Sequence, residues 1–111
     1  MTEKGKKYLS DIVRAIDLIE DFTKGIDTFN AYEADLKSQS AVERQLAIIG
    51  EALNKFRKAE PVIAIKHDKQ IIAFRNRLIH AYDSIDNAIV WMILKRHLPK
   101  LKEEIENQQE L

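Results

Sequence analysis

The chain contains no cysteine, which excludes disulfides and thiolate metal sites and fits a reducing compartment. Only three glycines and two prolines interrupt its 111 residues. With Leu, Ile, Ala, Lys, Glu and Gln abundant, that scarcity favours long helices over short strands. Net charge is missing as well: 18 Lys and Arg are balanced by 18 Asp and Glu. A protein that coats nucleic acid is usually basic, so contact with nucleic acid here has to come from a local patch or an assembled cleft. No apolar run approaches the roughly 18 residues of a membrane span. Met1–Gly5 is followed by no apolar core, so no secretory signal is expected and the cytoplasm is the expected compartment.

What is present reads as a globular chain, 45% hydrophobic and 32% charged. The length suits a single domain over residues 1–111 with a modest core, which oligomerisation would help stabilise. Tyr8, Leu9, Ile12, Ile16, Ile19 and Phe22 recur at helical spacing and predict a first helix over about residues 4–23. Gly25 interrupts it. Phe29, Tyr32 and Leu36 predict a short second helix. Ser40 with Glu43 has the form of a capping box and predicts Ser40 as the N-cap of a third helix. That helix carries Val42, Leu46, Ile49, Leu53 and Phe56, a narrow seam of the kind helix pairs use. A fourth helix is predicted from about Asp68, and Asp83-Ser84-Ile85-Asp86 reads as a turn and new cap. A fifth runs through Ile89, Val90, Ile93, Leu94 and Leu98. Pro99 either kinks it or opens a sixth helix at its first turn. The expected fold is all-α, an antiparallel bundle of four to six helices.

Little in the chain reads as chemistry. His67, His80 and His97 are too far apart in sequence to pair at helical spacing, and no acidic residue completes a ligand cluster, so no metal or other cofactor is expected. The three glycines are isolated and form no phosphate loop. No serine sits in a nucleophile-elbow context. The exception is Arg75-Asn76-Arg77-Leu78-Ile79-His80-Ala81-Tyr82, where two guanidiniums, an amide, an imidazole and a phenol share an otherwise apolar segment. Arginine presents a planar fork of donors suited to phosphate oxygens, and histidine passes protons near neutral pH. Together they suit transesterification of RNA without a metal. Histidine would assist the 2′-hydroxyl or the leaving oxygen, and arginine would stabilise charge on the phosphorus. On an ideal helix, positions five apart lie about 140° apart around the axis. Either the helix ends or bends near His80, or the site is composite, with Arg75 of one chain meeting His80 of another across a two-fold axis. The same residues also fit a bland role, as surface charges, a structural histidine and a half-buried tyrosine.

Arg75, Asn76, then His80 and Tyr82, resembles the motif of the HepT-like ribonuclease toxins of the HEPN superfamily. Further stretches share the resemblance: Arg44-Gln45-Leu46-Ala47-Ile48-Ile49-Gly50-Glu51-Ala52, Ile89-Val90-Trp91 and Leu98-Pro99-Lys100-Leu101. Together they cover roughly residues 5–107. The resemblance implies a HEPN-like helical bundle that forms a homodimer or a higher even oligomer, with the motifs of two chains facing one another. It implies a metal-independent endoribonuclease acting on an RNA substrate, with Arg75 and His80 as the catalytic pair and Asn76 positioning the site. It also implies a type VII toxin–antitoxin system. The partner would be a minimal nucleotidyltransferase antitoxin that silences the toxin by transferring AMP to Tyr82.

Two features depart from the pattern. Family members often carry a Trp shortly before the arginine, where this chain has Ile65-Lys66-His67-Asp68. The zero net charge gives no global pull on RNA, which Lys95-Arg96-His97 with Lys100 and Lys102 could offset, unless these form an ordinary solvated helix face. Gly50 inside a helix costs about 1 kcal/mol relative to Ala, which points to a close helix crossing or dimer contact there. Glu51 could pair with an arginine at the cleft, without a catalytic role. The alternative to the enzyme is a non-catalytic helical interaction or nucleotide-binding module.

Overall fold

The computed structural model describes residues 1–80 and 85–109, without the side chains of Ile79, His80 and Gln109. Its helices are α1 (Glu3–Phe22), α2 (Phe29–Glu33), α3 (Leu36–Ala59), α4 (Lys69–His80), α5 (Asn87–Met92) and α6 (Leu98–Gln109). A π-helical turn, Ile93–His97, joins α5 to α6 into one continuous rod. The described residues contain no strand. None of their helices is long and apolar enough to cross a membrane.

Helices α1, α2, α3 and α5 start where short polar side chains satisfy first-turn N–H groups. The Thr2 hydroxyl accepts from Gly5 N at 3.1 Å, Thr28 from Ala31 N at 3.1 Å, and Asp86 from Ala88 N at 2.8 Å. The cap expected at Asp86 is therefore present, whereas Asp83 and Ser84 lie outside the described residues. After α1 the chain turns through Gly25, whose φ of +83° suits a residue without a Cβ.

The cap of α3 differs from the expected one. Asp35, not Ser40, begins the helix, accepting from Ser38 N at 3.0 Å and from the Ser38 hydroxyl at 2.8 Å. Ser40 and Glu43 consequently sit inside α3, and Leu36 opens that helix instead of closing α2. Gln39 explains the earlier start. Its buried side-chain amide donates to the carbonyls of Tyr32 and Glu33, both at 2.9 Å, and so ties off α2. That contact requires residue 39 to be already in helical register.

The expected seam is the centre of the core. Val42, Leu46, Ile49, Leu53 and Phe56 are buried with Leu9, Ile12, Ile16 and Ile19 of α1, Ile71 and Phe74 of α4, and Val90, Leu101 and Ile105 from the α5–α6 rod. Complete burial of one such side chain is worth about 1.5–3 kcal/mol. Phe22, at the end of the α1 stripe, is instead exposed.

Two polar contacts fix the antiparallel order. At the α1–α3 ends, Glu60 Oε1 accepts from Thr2 N at 2.6 Å and from the Thr2 hydroxyl at 2.7 Å. At the start of α4, the buried carboxylate of Asp68 accepts from Arg57 Nε of α3 at 2.9 Å. From that anchor α4 runs back along α3. The Ile65–Asp68 segment holds its place without a Trp: Lys66 N and His67 N donate to the Glu104 carboxylate at 2.7 and 3.1 Å.

Pro99 is the second residue of α6 but lies within the continuous rod, so its missing N–H and its ring fall inside a helix and not at a free helix start. The π turn precedes it directly, with Leu98 N donating to the Ile93 carbonyl five residues back. The rod therefore passes the proline without breaking.

Candidate active site

The anchor at Asp68 and the antiparallel run of α4 bring Arg75 beside residues 50 and 51 of α3. Gly50 makes this approach possible. A Cβ there would collide with the first two side-chain carbons of Arg75, the Cγ lying 2.7 Å away, and would meet the Ile71 carbonyl at 3.4 Å. The close crossing expected at Gly50 is thus a contact between α3 and α4 of one chain. The Arg75 side chain is only 23% exposed.

Arg75 Nη2 donates to Glu51 Oε2 in a salt bridge. Its Nη1 donates to Asn76 Oδ1 at 3.3 Å. Glu51 Oε1 lies 3.8 Å from Lys55 Nζ, one turn further along α3. A guanidinium held at both terminal nitrogens loses little rotamer freedom when it meets a ligand. Arg77 is exposed, as the surface-charge reading of it requires.

The backbone of α4 stays helical through His80. Positions 75 and 80 therefore remain about 140° apart around one axis, and no earlier helix end brings them together. The side chain of His80 and the whole of Tyr82 lie outside the described residues.

Arg75 also borders a groove of about 660 Å³ between α1 and α3. Ala15, Leu18, Ala47, Ile48 and Ala52 give it an apolar floor. Five cationic side chains, Lys7, Arg14, Arg44, Lys55 and Arg75, stand around it against two carboxylates, Asp11 and Glu51. The electrically neutral chain thus carries a basic groove at the motif. Sequence reading passed over it. The spacings 7, 11, 14, 18 on α1 and 44, 48, 51, 55 on α3 do place these residues on single faces, but any solvated helix face has the same pattern.

The other basic cluster has members paired within the chain, as Lys7 with Asp11 and Lys55 with Glu51 are in the groove. Lys102 Nζ bonds Asp17 at 2.9 Å and Glu20 at 3.4 Å, and Lys95 Nζ lies 4.5 Å from the centre of the Trp91 ring. Partial burial, then Lys100, His67 and Arg96, push the His97 pKa down, favouring its neutral form. Lys95 and Lys102 are engaged within the chain, as on an ordinary helix face. Among the described residues, no three His, Cys, Asp or Glu side chains gather to hold a metal ion.

The HepT-like family, described as "Ribonuclease HepT-like", matches residues 12–107. The chain is 40% identical over 110 residues to "Probable ribonuclease HepT" of Thermococcus cleftensis, covering 96% of each chain. It is 38% identical over 105 residues to a protein of Methanocaldococcus jannaschii named "Putative RNase", covering 91% of this chain and 93% of that one. A "Putative RNase" of Caldanaerobacter subterraneus is 29% identical over 104 residues, covering 90% of this chain and 89% of its own. No solved structure matches the chain.

Proposed function

Because the chain belongs to the HepT-like ribonuclease family, we propose that it is a toxin endoribonuclease that cleaves cellular RNA at a two-chain site built from Arg75 and His80. The observation that carries this reading is the setting of Arg75. It is held by Glu51 and Asn76 at the edge of a basic groove, as a group that receives a phosphate should be.

In the proposed reaction the 2′-hydroxyl attacks the adjacent phosphorus. The P–O bond to the 5′-oxygen breaks, leaving a 2′,3′-cyclic phosphate and a free 5′-hydroxyl. His80 takes the proton from the 2′-hydroxyl or supplies one to the 5′-oxygen. Arg75 stabilises the charge on the phosphoryl oxygens, and the groove's cations attract the flanking backbone. No step draws on a metal ion. The separation of positions 75 and 80 around α4 favours pairing Arg75 with His80 of the partner subunit in a homodimer.

Tyr82, two residues beyond His80, is the proposed control point. A nucleotidyltransferase antitoxin would join the Tyr82 oxygen to the α-phosphorus of ATP, releasing pyrophosphate. The anion added next to His80 would then repel the RNA backbone. Mass spectrometry after co-expression should find AMP on Tyr82, and AMP found elsewhere would contradict this assignment.

The enzymatic reading is tested by incubating labelled single-stranded RNA with purified wild type, Arg75→Ala and His80→Ala, each with and without EDTA. Wild type should cleave in both conditions and both variants should fail in both. Equal behaviour of all three proteins would instead support a non-catalytic module, and loss of wild-type cleavage in EDTA would contradict metal independence.

A further inference from the structure

Gly50 and Glu51 lie 25 and 24 residues before Arg75 in sequence, yet both act on that one side chain. Gly50 leaves room for its Cβ and Cγ at the helix crossing. Glu51 accepts from its Nη2. Lys55 stands at the other oxygen of Glu51 and partly offsets its charge. Asn76 takes Nη1, so among the described residues each terminal nitrogen keeps one N–H uncommitted. Those two N–H groups suffice for two phosphoryl oxygens.

We infer that Glu51 is a positioning residue, which fixes the Arg75 guanidinium so that its remaining N–H groups meet the phosphoryl oxygens of the RNA. The inference rests on the ribonuclease reading of Arg75. Glu51 touches no RNA and exchanges no proton. It orients the arginine before substrate arrives, so the cost of immobilising a long side chain is met on folding and not in the transition state. An unanchored guanidinium still attracts RNA by its charge, so losing Glu51 should affect turnover more than binding.

The test compares wild type, Glu51→Ala, Glu51→Gln, Arg75→Ala and the double variant Glu51→Ala/Arg75→Ala on one labelled single-stranded RNA, with kcat, KM and thermal midpoint measured for each. Glu51→Ala should lower kcat by about 10- to 100-fold, with KM within about twofold of wild type and an unchanged thermal midpoint. Glu51→Gln keeps an acceptor for Nη2 and should recover part of the loss. Arg75→Ala and the double variant should both show no cleavage and share one thermal midpoint, since Glu51 acts through Arg75 alone.

Wild-type turnover by Glu51→Ala, with Arg75→Ala inactive, would overturn the inference and leave the ribonuclease reading standing. A loss of activity matched by a fall in thermal midpoint would overturn it as well, by assigning Glu51 to stability. Wild-type turnover by Arg75→Ala would overturn the ribonuclease reading itself.

Discussion

Gly50 of α3 and Arg75 of α4 touch so closely that a methyl group on residue 50 would occupy the space of the arginine's first side-chain carbons. The first of those carbons, Cβ, is fixed to the α4 backbone and cannot swing aside as a side-chain tip can. Alanine at position 50 would gain about 1 kcal/mol of helix propensity while pushing α4 away from α3. Gly50→Ala should therefore keep its helical circular dichroism and lose at least about tenfold in RNA cleavage, since displacements near 1 Å are costly at a reacting centre. Cleavage at the wild-type rate would show that the close approach does not matter to the site.

The same crossing is anchored at its other end by Arg57 and Asp68. The Asp68 side chain is 3% exposed and that of Arg57 is 48% exposed. Removing the arginine leaves a buried carboxylate without its cation, at a cost of roughly 1–3 kcal/mol. Arg57→Ala should lower the urea midpoint accordingly, with the slope of the transition unchanged. An unchanged midpoint would mean that water replaces the guanidinium without loss.

Glu60 makes the junction of α1 and α3 sensitive to acid. Hydrogen bonds from the Thr2 hydroxyl and backbone N–H hold its pKa below the usual carboxylate value. The folded state therefore favours the ionised form. Its contribution to stability is present above the ordinary carboxylate range and is lost as pH falls through the lowered folded-state value. Glu60→Gln should melt below wild type at pH 7, and the two melting temperatures should converge as the pH falls through the lowered folded-state value. A difference that stays constant across that range would remove the charge from the explanation.

Periodicity revealed the core because burial imposes it. The seam from Val42 to Phe56 and the α1 stripe from Leu9 to Ile19 are buried as their spacing requires. The start of α3 was less legible, because Ser40 with Glu43 and Asp35 with Ser38 are both locally competent caps. Asp35 prevails through Gln39, whose amide must reach the end of α2, a tertiary contact that no local pattern contains. Burial then raises the pKa of Glu43, which the capping-box reading placed at a solvated helix start.

The site was legible in part. The motif drew attention to Arg75, Asn76, His80 and Tyr82, but the hydrogen bond from Arg75 to Asn76 is not contained in it. The roles of Gly50 and Glu51 around Arg75 depend on how α3 and α4 cross. Sequence suggested a close crossing at Gly50 and an arginine partner for Glu51 without naming Arg75 for either. The basic groove was missed because its cations come from three helices and stand among many ordinary surface charges.

The central claim is that Arg75 of one chain works with His80 of another. Arg75→Ala and His80→Ala chains, each inactive alone, can be mixed under conditions that allow subunits to exchange, with mixed dimers verified by native mass spectrometry. A two-chain site predicts that RNA cleavage returns, because each mixed dimer holds one site with both residues intact. If mixed dimers form and the RNA stays uncut, the two residues do not act across the interface and the composite site is wrong.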